Sequence, residues 1–232
     1  MSAGVIYYAI GDIHGELDRL QQLHKDVFRH HREHHSWQDY RLVHLGDYVD
    51  RGPDSAGVVN YLMALDAREE DRVMCLKGNH EAMMVDALRH SINPDWWCDH
   101  GGTETLDSYR ARGMDHPPEA HLDWLDRRPT HYHDPDRRLV FVHAAINIDL
   151  FPDPDERQHL WGRTHAFFDS PSWSNPALSD YCVIHGHTPT DGHKPDVSDD
   201  KRRINVDTGA VYGGVLTAVG LAPDRPPIFL SA

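Results

Sequence analysis

Three times near the start of the chain an apolar run breaks off at a glycine followed at once by a side chain able to ligate a metal. These junctions are Gly11-Asp12-Ile13-His14, Gly46-Asp47 and Gly78-Asn79-His80. Two later runs behave alike, residues 139–142 leading into His143 and residues 181–184 leading to Gly186-His187. Between the early runs lie stretches with apolar residues at helical spacing: Leu17, Leu20 and Leu23 with Val27, then Val58, Val59, Leu62 and Leu65. Strands alternating with amphipathic helices predict an α/β fold. In such sheets the ligand site lies beyond the carboxyl ends of the strands, so the five junctions can converge in space. A glycine before each ligand lets the backbone turn sharply and leaves room for an ion or anion.

The spacing predicts strands at residues 5–10, 41–45 and 72–76, and further strands at 139–142, 181–184, 203–206 and 215–221, the last ones in hairpin-like order. One helix is expected from Glu16 to about Arg29, and a second opens at Pro53. Residues 81–128 are mostly helical in pattern but irregular, with Trp96, Trp97, Gly101-Gly102 and Pro117-Pro118. They are expected to form an insertion beside the active face of a single domain spanning 1–232. Residues 194–202 suggest a polar turn. His30, His31, His34 and His35 crowd one helix end, where a solvated face is a simpler expectation than a metal site.

The net charge of −14 argues against general nucleic-acid binding, which needs basic patches. Three scattered cysteines, with no Cys-x-x-Cys pair, support neither a disulfide framework nor a thiolate zinc site, and they fit a reducing cytoplasm. No run could span a bilayer, and the apolar start is too short for a signal segment. Cysteine-phosphatase chemistry needs an arginine six residues after the nucleophile; Glu81, Glu104 and Thr188 stand there instead.

The ligand inventory is Asp12, His14, Asp47, Asn79, His143 and His187, imidazoles with hard oxygen donors. That mixture suits Mn²⁺, Fe or Zn²⁺ better than a calcium site made only of oxygen. Six protein ligands exceed what one open catalytic ion needs, whereas a pair of ions bridged by a carboxylate uses them all. Asp47 is the best candidate for the bridge. A single Asp after a strand is usually a cap, and a single His usually a hydrogen-bond partner. The set stands out because its members recur in order at strand ends.

The segments Gly11-Asp12-Ile13-His14-Gly15, Gly46-Asp47-Tyr48-Val49-Asp50-Arg51-Gly52 and Gly78-Asn79-His80-Glu81 resemble the signature blocks of the phosphoprotein phosphatase family, within the calcineurin-like metallophosphoesterases. Phe141-Val142-His143-Ala144, Leu160-Trp161-Gly162-Arg163, Gly186-His187-Thr188-Pro189 and Asp207-Thr208-Gly209-Ala210 are similar to its second half. The similarity runs from about residue 5 to 221 and is nearest to the compact bacterial and lambda-type enzymes. It implies a four-layer αββα sandwich with a helical insertion. It also implies two divalent metals, most readily Mn²⁺, the first on Asp12 and His14, the second on Asn79, His143 and His187, with Asp47 bridging. His185 is the rival to His187. Pro189 stands where the wider superfamily often has another histidine ligand.

The chemistry then expected is hydrolysis of a phosphomonoester by a hydroxide held between the metals. Arg51 and Arg163, with Asn79, would bind the phosphate. His80 would protonate the leaving alkoxide, oriented by Asp50. Phosphorylated serine or threonine in a protein is the first-named substrate, because Asp50 and Glu81 match that branch. The main alternative is symmetrical hydrolysis of diadenosine tetraphosphate or a phosphodiester on the same centre. A non-catalytic module that binds phosphorylated partners is the alternative outside enzymes. Asp207 and Tyr212 could border the site or serve only as turn and core residues.

Overall fold

The computed structural model describes residues 4–69, 71–223 and 225–232. Among these residues two five-stranded sheets face each other. The first has the order β10-β9-β1-β2-β3, built from β1 (Ile6–Ile10), β2 (Tyr40–His44), β3 (Val73–Cys75), β9 (Thr217–Leu221) and β10 (Ile228–Ser231). The second has the order β4-β5-β6-β8-β7, from β4 (His131–Asp134), β5 (Leu139–Val142), β6 (Cys182–His185), β7 (Asp196–Val197) and β8 (Arg203–Asn205). In each sheet three parallel strands form one block, β1-β2-β3 and β5-β6-β8, and the antiparallel strands lie outside it.

Period-two alternation sorts the strand side chains into layers. Tyr7 and Ala9 of β1, Val43 of β2, Leu139 and Phe141 of β5 and Ile184 of β6 point between the sheets. Ile6, Tyr8 and Ile10 of β1 point the other way, with Leu42, against the helices α1 (Leu17–His34) and α2 (Ser55–Arg68). Val140, Val142 and Val183 leave the second sheet toward Phe151, Phe167, Trp173 and Leu178. Each such fully buried aliphatic or aromatic side chain contributes roughly 1.5–3 kcal/mol. The αββα order is therefore present. On the second sheet, however, the outer layer is thin: α7 (Glu156–Trp161), α8 (His165–Phe168) and short 3₁₀ turns.

Several expectations are corrected. Residues 203–206 and 215–221 are not a hairpin. The strand at Arg203–Asn205 pairs with β6 and β7, while Thr217–Leu221 pairs with β1 and β10 in the other sheet. The polar stretch 194–202 contains the short edge strand β7. The second helix begins at Ser55, because the Asp54 side chain accepts the Gly57 amide at 2.9 Å and caps it. The first helix runs on through the histidine-rich stretch to His34. Those histidines are a solvated face only in part: His34 is exposed, but the others are engaged by neighbours. His35 is buried, His30 Nδ1 meets the Tyr8 hydroxyl at 2.8 Å, and His31 Nε2 meets the Gln38 carbonyl at 3.0 Å.

Residues 81–128 fold as α3 (Asn79–His90), α4 (Pro94–Trp97), a π turn (Cys98–Gly102), α5 (Thr103–Arg110) and α6 (Glu119–Asp126). Trp97 and Tyr109 from this region enter the same core as α2 and β1. Among the described residues no helix is long and apolar enough to cross a membrane.

Candidate metal centre

The loops after β1, β2, β3, β5 and β6 meet at one end of the two sheets. The first two are locked together: the amides of Ile13 and His14 both donate to the Asp47 carbonyl, at 3.0 and 2.8 Å, and the Gly15 amide donates to Tyr48. Glu81 fastens the second loop to the third. Its fully buried carboxylate accepts the amides of Asp47 (2.8 Å), Tyr48 (2.7 Å), Val49 (3.3 Å) and Gly78 (2.8 Å). The Gly186 amide donates to the His143 carbonyl at 2.8 Å, tying together the two junctions of the other sheet.

The glycines do what their placement suggests. A Cβ on Gly186 would lie 2.1 Å from Asp12 Oδ1, and one on Gly78 would lie 2.2 Å from Asp47 Oδ1. The backbone is also bent at the functional side chains themselves. His14, Asp47, Asp50, Arg51 and His187 all have positive φ, between 43° and 73°. Non-glycine residues avoid that region, and where it occurs the surroundings over-determine it.

Two groups of potential ligands result, His14 with Asp47 and His80, and Asp47 with His143 and His187, each with ligand atoms within 4.8 Å of one another. Asp47 belongs to both. One of its oxygens is 3.4 Å from His14 Nε2 and the other 3.3 Å from His143 Nε2. His14 Nδ1 faces the Val49 carbonyl at 2.8 Å and His143 Nδ1 faces the Leu45 carbonyl at 3.0 Å. A ring nitrogen beside a carbonyl carries the proton, so both rings turn a bare Nε2 toward Asp47, as a metal ligand must. Asn79 Oδ1 is 2.9 Å from His143 Nε2, and His187 Nδ1 is 3.1 Å from the same atom. Asp12 accepts the His187 amide on both oxygens, at 3.0 and 3.1 Å.

This donor set fits divalent cations. Burial first, then the neighbouring Asp207 and Asp47, push the Asp12 carboxyl well above its ordinary range; burial and Glu81 do the same to Asp47. Burial pushes His14 and His143 down to about 3 and His187 lower still, which keeps the rings neutral. Buried carboxyls facing neutral imidazoles are what a cation would stabilise, and ligand carboxylates deprotonate when it binds.

His80 stands apart from this set, although it belongs to one of the close groups. Its Nε2 is 4.0 Å from Asp47, farther than His14 or His143, and its Nδ1 is 2.7 Å from Asp50. Burial lowers His80 well below its ordinary value, aided by His14 and Arg51. Burial raises Asp50, opposed by the donors Thr105 Oγ1 (2.8 Å) and Trp97 Nε1 (3.0 Å), so the carboxylate is gripped from three sides. His185 turns away, its Nδ1 at the Gly186 carbonyl, its Nε2 near Arg203 and its ring packed on Phe167. It is a core residue of the second sheet.

A cavity of about 300 Å³ opens beside these residues, lined by Arg51, Asn79, His80 and Arg163 with Met83, Trp96, His100 and Trp161. Arg51 reaches His14 Nε2 at 2.6 Å and lies over the Tyr212 ring, and Arg163 reaches His187 Nε2 at 2.9 Å. Two guanidinium groups at one mouth favour a phosphate.

The family model for calcineurin-like phosphoesterases matches residues 7–208. The chain belongs to that family. This phosphoesterase is 27% identical over 224 residues to the asymmetrical bis(5'-nucleosyl)-tetraphosphatase PrpE of Oceanobacillus iheyensis, covering 90% of this chain and 86% of that one. Its structure superposes on a putative diadenosine tetraphosphatase with TM-score 0.60 at 20% identity, over 100% and 99% of the two chains. It also superposes on a Saccharomyces cerevisiae protein serine/threonine phosphatase with TM-score 0.57 at 13% identity, over 99% and 82%. Those two likenesses establish the shared fold.

The phosphoesterase also holds two functional neighbours that no local motif disclosed, and two whose role the sequence left open. Trp97 and Thr105, which grip Asp50, come from the helical segment 94–110, and only the fold brings them there. Asp207 is buried beside Asp12, and burial raises its carboxyl to about 6; Tyr212 is half exposed under Arg51. Both border the site.

Proposed function

We propose that this metallophosphoesterase hydrolyses the phosphoanhydride chain of dinucleoside polyphosphates such as diadenosine tetraphosphate. The observation carrying this reading is the exposed tryptophan pair at the cavity rim. Trp96 and Trp161 are 44% and 41% exposed, with ring centroids 6.0 Å apart, next to the arginine-lined mouth. Base stacking on aromatic rings is worth roughly 1–3 kcal/mol per base and a phosphate mouth alone gives no such platform. The named activity of the Oceanobacillus relative supports the same substrate class.

This reading reverses the order of substrates expected from Asp50 and Glu81. Both side chains are fully buried, one orienting His80 and the other pinning the loops, so neither faces a substrate.

In this reading Asp12 and His14 would hold one cation and Asn79, His143 and His187 another, with Asp47 shared by the two groups; imidazole and oxygen donors suit Mn²⁺, with Fe or Zn²⁺ as alternatives. When bound, two such ions would lower the pKa of water and neutralise phosphate oxygens. Arg51 and Arg163 grip the polyphosphate and spread over the charge that develops on it. His80, with Nδ1 fixed on Asp50, presents Nε2 to the leaving oxygen; an anionic substrate beside it opposes the burial that keeps the ring neutral.

A second reading, hydrolysis of phosphoseryl or phosphothreonyl proteins, draws on that same dyad. An alkoxide leaving group needs a proton far more than a nucleotide does, and His80 is built to give one.

The test compares turnover of diadenosine tetraphosphate and of phosphopeptides by the Mn²⁺-loaded enzyme, with nucleotide products resolved by ion exchange. Two ADP mark symmetrical cleavage, and ATP with AMP mark asymmetrical cleavage. Higher kcat/KM on the phosphopeptides would overturn the main reading.

A further inference from the structure

Behind the tryptophan pair lies a second and larger cavity, of about 420 Å³, which shares Met83, Trp96 and Trp161 with the first. Its other walls include Asp86 of α3 and Glu156 of α7, with Lys77 and Ile92 from the segments that flank α3. We infer that this groove receives one nucleoside of the substrate, the base against the indoles and the ribose hydroxyls toward Glu156 and Asp86. The inference rests on the dinucleotide reading above.

Charge divides the two cavities. The first carries Arg51 and Arg163 and suits an anion. In the second, Asp86, Asp126 and Glu156 stand against Lys77, whose ammonium is held by Asp126 at 3.1 Å. Phosphates are disfavoured there, whereas carboxylates accept hydrogen bonds from ribose hydroxyls and exocyclic amines. The apolar surface of Ile92, 48% exposed, and of the two indoles suits a neutral aromatic base. A ligand with an anionic middle and a neutral aromatic end therefore has only one way to lie across the pair, phosphates in the arginine cavity and nucleoside in the groove. The groove thus selects nucleotides over small phosphate esters and sets which phosphorus sits beside His80.

The experiment uses full-length enzyme loaded with Mn²⁺ and two groove variants, Ala82→Phe, which fills the groove from α3, and Glu156→Gln. With diadenosine tetraphosphate, Ala82→Phe is expected to raise KM about tenfold and Glu156→Gln severalfold, while kcat/KM for p-nitrophenyl phosphate stays within about twofold of wild type. Adenosine alone should quench tryptophan fluorescence in the wild type and not in Ala82→Phe. Unchanged KM values in an enzyme that does cleave the dinucleotide would overturn the groove assignment alone. Equal losses on both substrates would do the same, marking the groove as structural. A wild type that turns over basic phosphopeptides and not the dinucleotide would overturn both this inference and the functional reading under it.

Discussion

Glu81→Gln is the sharpest probe of how the centre is held. The Glu81 carboxylate takes two amides on each oxygen, Asp47 and Gly78 on Oε2 and Tyr48 and Val49 on Oε1, with no exposure to solvent. A glutamine of the same shape can offer an acceptor to only one pair. Its NH₂ would face the other two N–H groups, donor against donor. At about 1.5–3 kcal/mol for each hydrogen bond to a charged group, losing two costs roughly 3–6 kcal/mol, a large share of the ~5–15 kcal/mol that holds a domain folded. The loosened loop is the one that carries Asp47, so metal content should fall as well. Urea unfolding gives the first quantity and elemental analysis of the desalted protein the second. A variant within about 1 kcal/mol of wild type that still carries its full metal would refute the account of Glu81 as the clasp between the loops.

Three further outcomes are expected. His80→Asn should lower kcat by roughly 10²–10⁴-fold on phosphomonoesters while metal stoichiometry is unchanged; wild-type turnover would remove His80 from the acid role. Gly186→Ala places a methyl group 2.1 Å from Asp12 Oδ1, so elemental analysis should show reduced metal in a protein whose circular dichroism is near native, and full loading would count against Asp12 as a ligand. Finally, burial lowers His24 from 6.5 to about 4, its ring held between Tyr61 and His44. The unfolded chain then binds the extra proton first, so this stability is present above pH 6.5 and is lost as pH falls toward 4, roughly 3 kcal/mol in all. Urea midpoints of wild type and His24→Gln across that window should diverge in slope, and parallel curves would contradict this.

The early strands and the glycine-ligand junctions were legible because period and punctuation are local: Val43 and Leu42 must face opposite ways, and a glycine before Asp47 signals a turn whatever follows. Pairing was not legible. Nothing in residues 203–221 says that the chain crosses from one sheet to the other, and β4 (His131–Asp134) is too polar to read as a strand at all. The same limit applied to the site. Asp12, His14, Asp47, Asn79, His143 and His187 announced themselves by position, but the choice of His187 over His185 rested on the family resemblance, in which the ligand is the histidine after the glycine. Trp97 and Thr105 could not, since an indole in an irregular helical stretch carries no sign of the carboxylate it will hold. Glu81 was visible as part of a motif, but its task required knowing where four amides point.

Asp47 spans the two sheets. One of its oxygens looks toward His14, on the first sheet, and the other toward His143, on the second. Cations held there would act as rivets through the seam between the two sheets. Their affinity would then also measure how well those halves are pressed together, because whatever binds the native state alone stabilises it, by an amount that grows with the logarithm of its concentration above Kd. Slack between Val43 and Phe141, both buried between the sheets and neither of them a ligand, will register in solution as poor retention of metal.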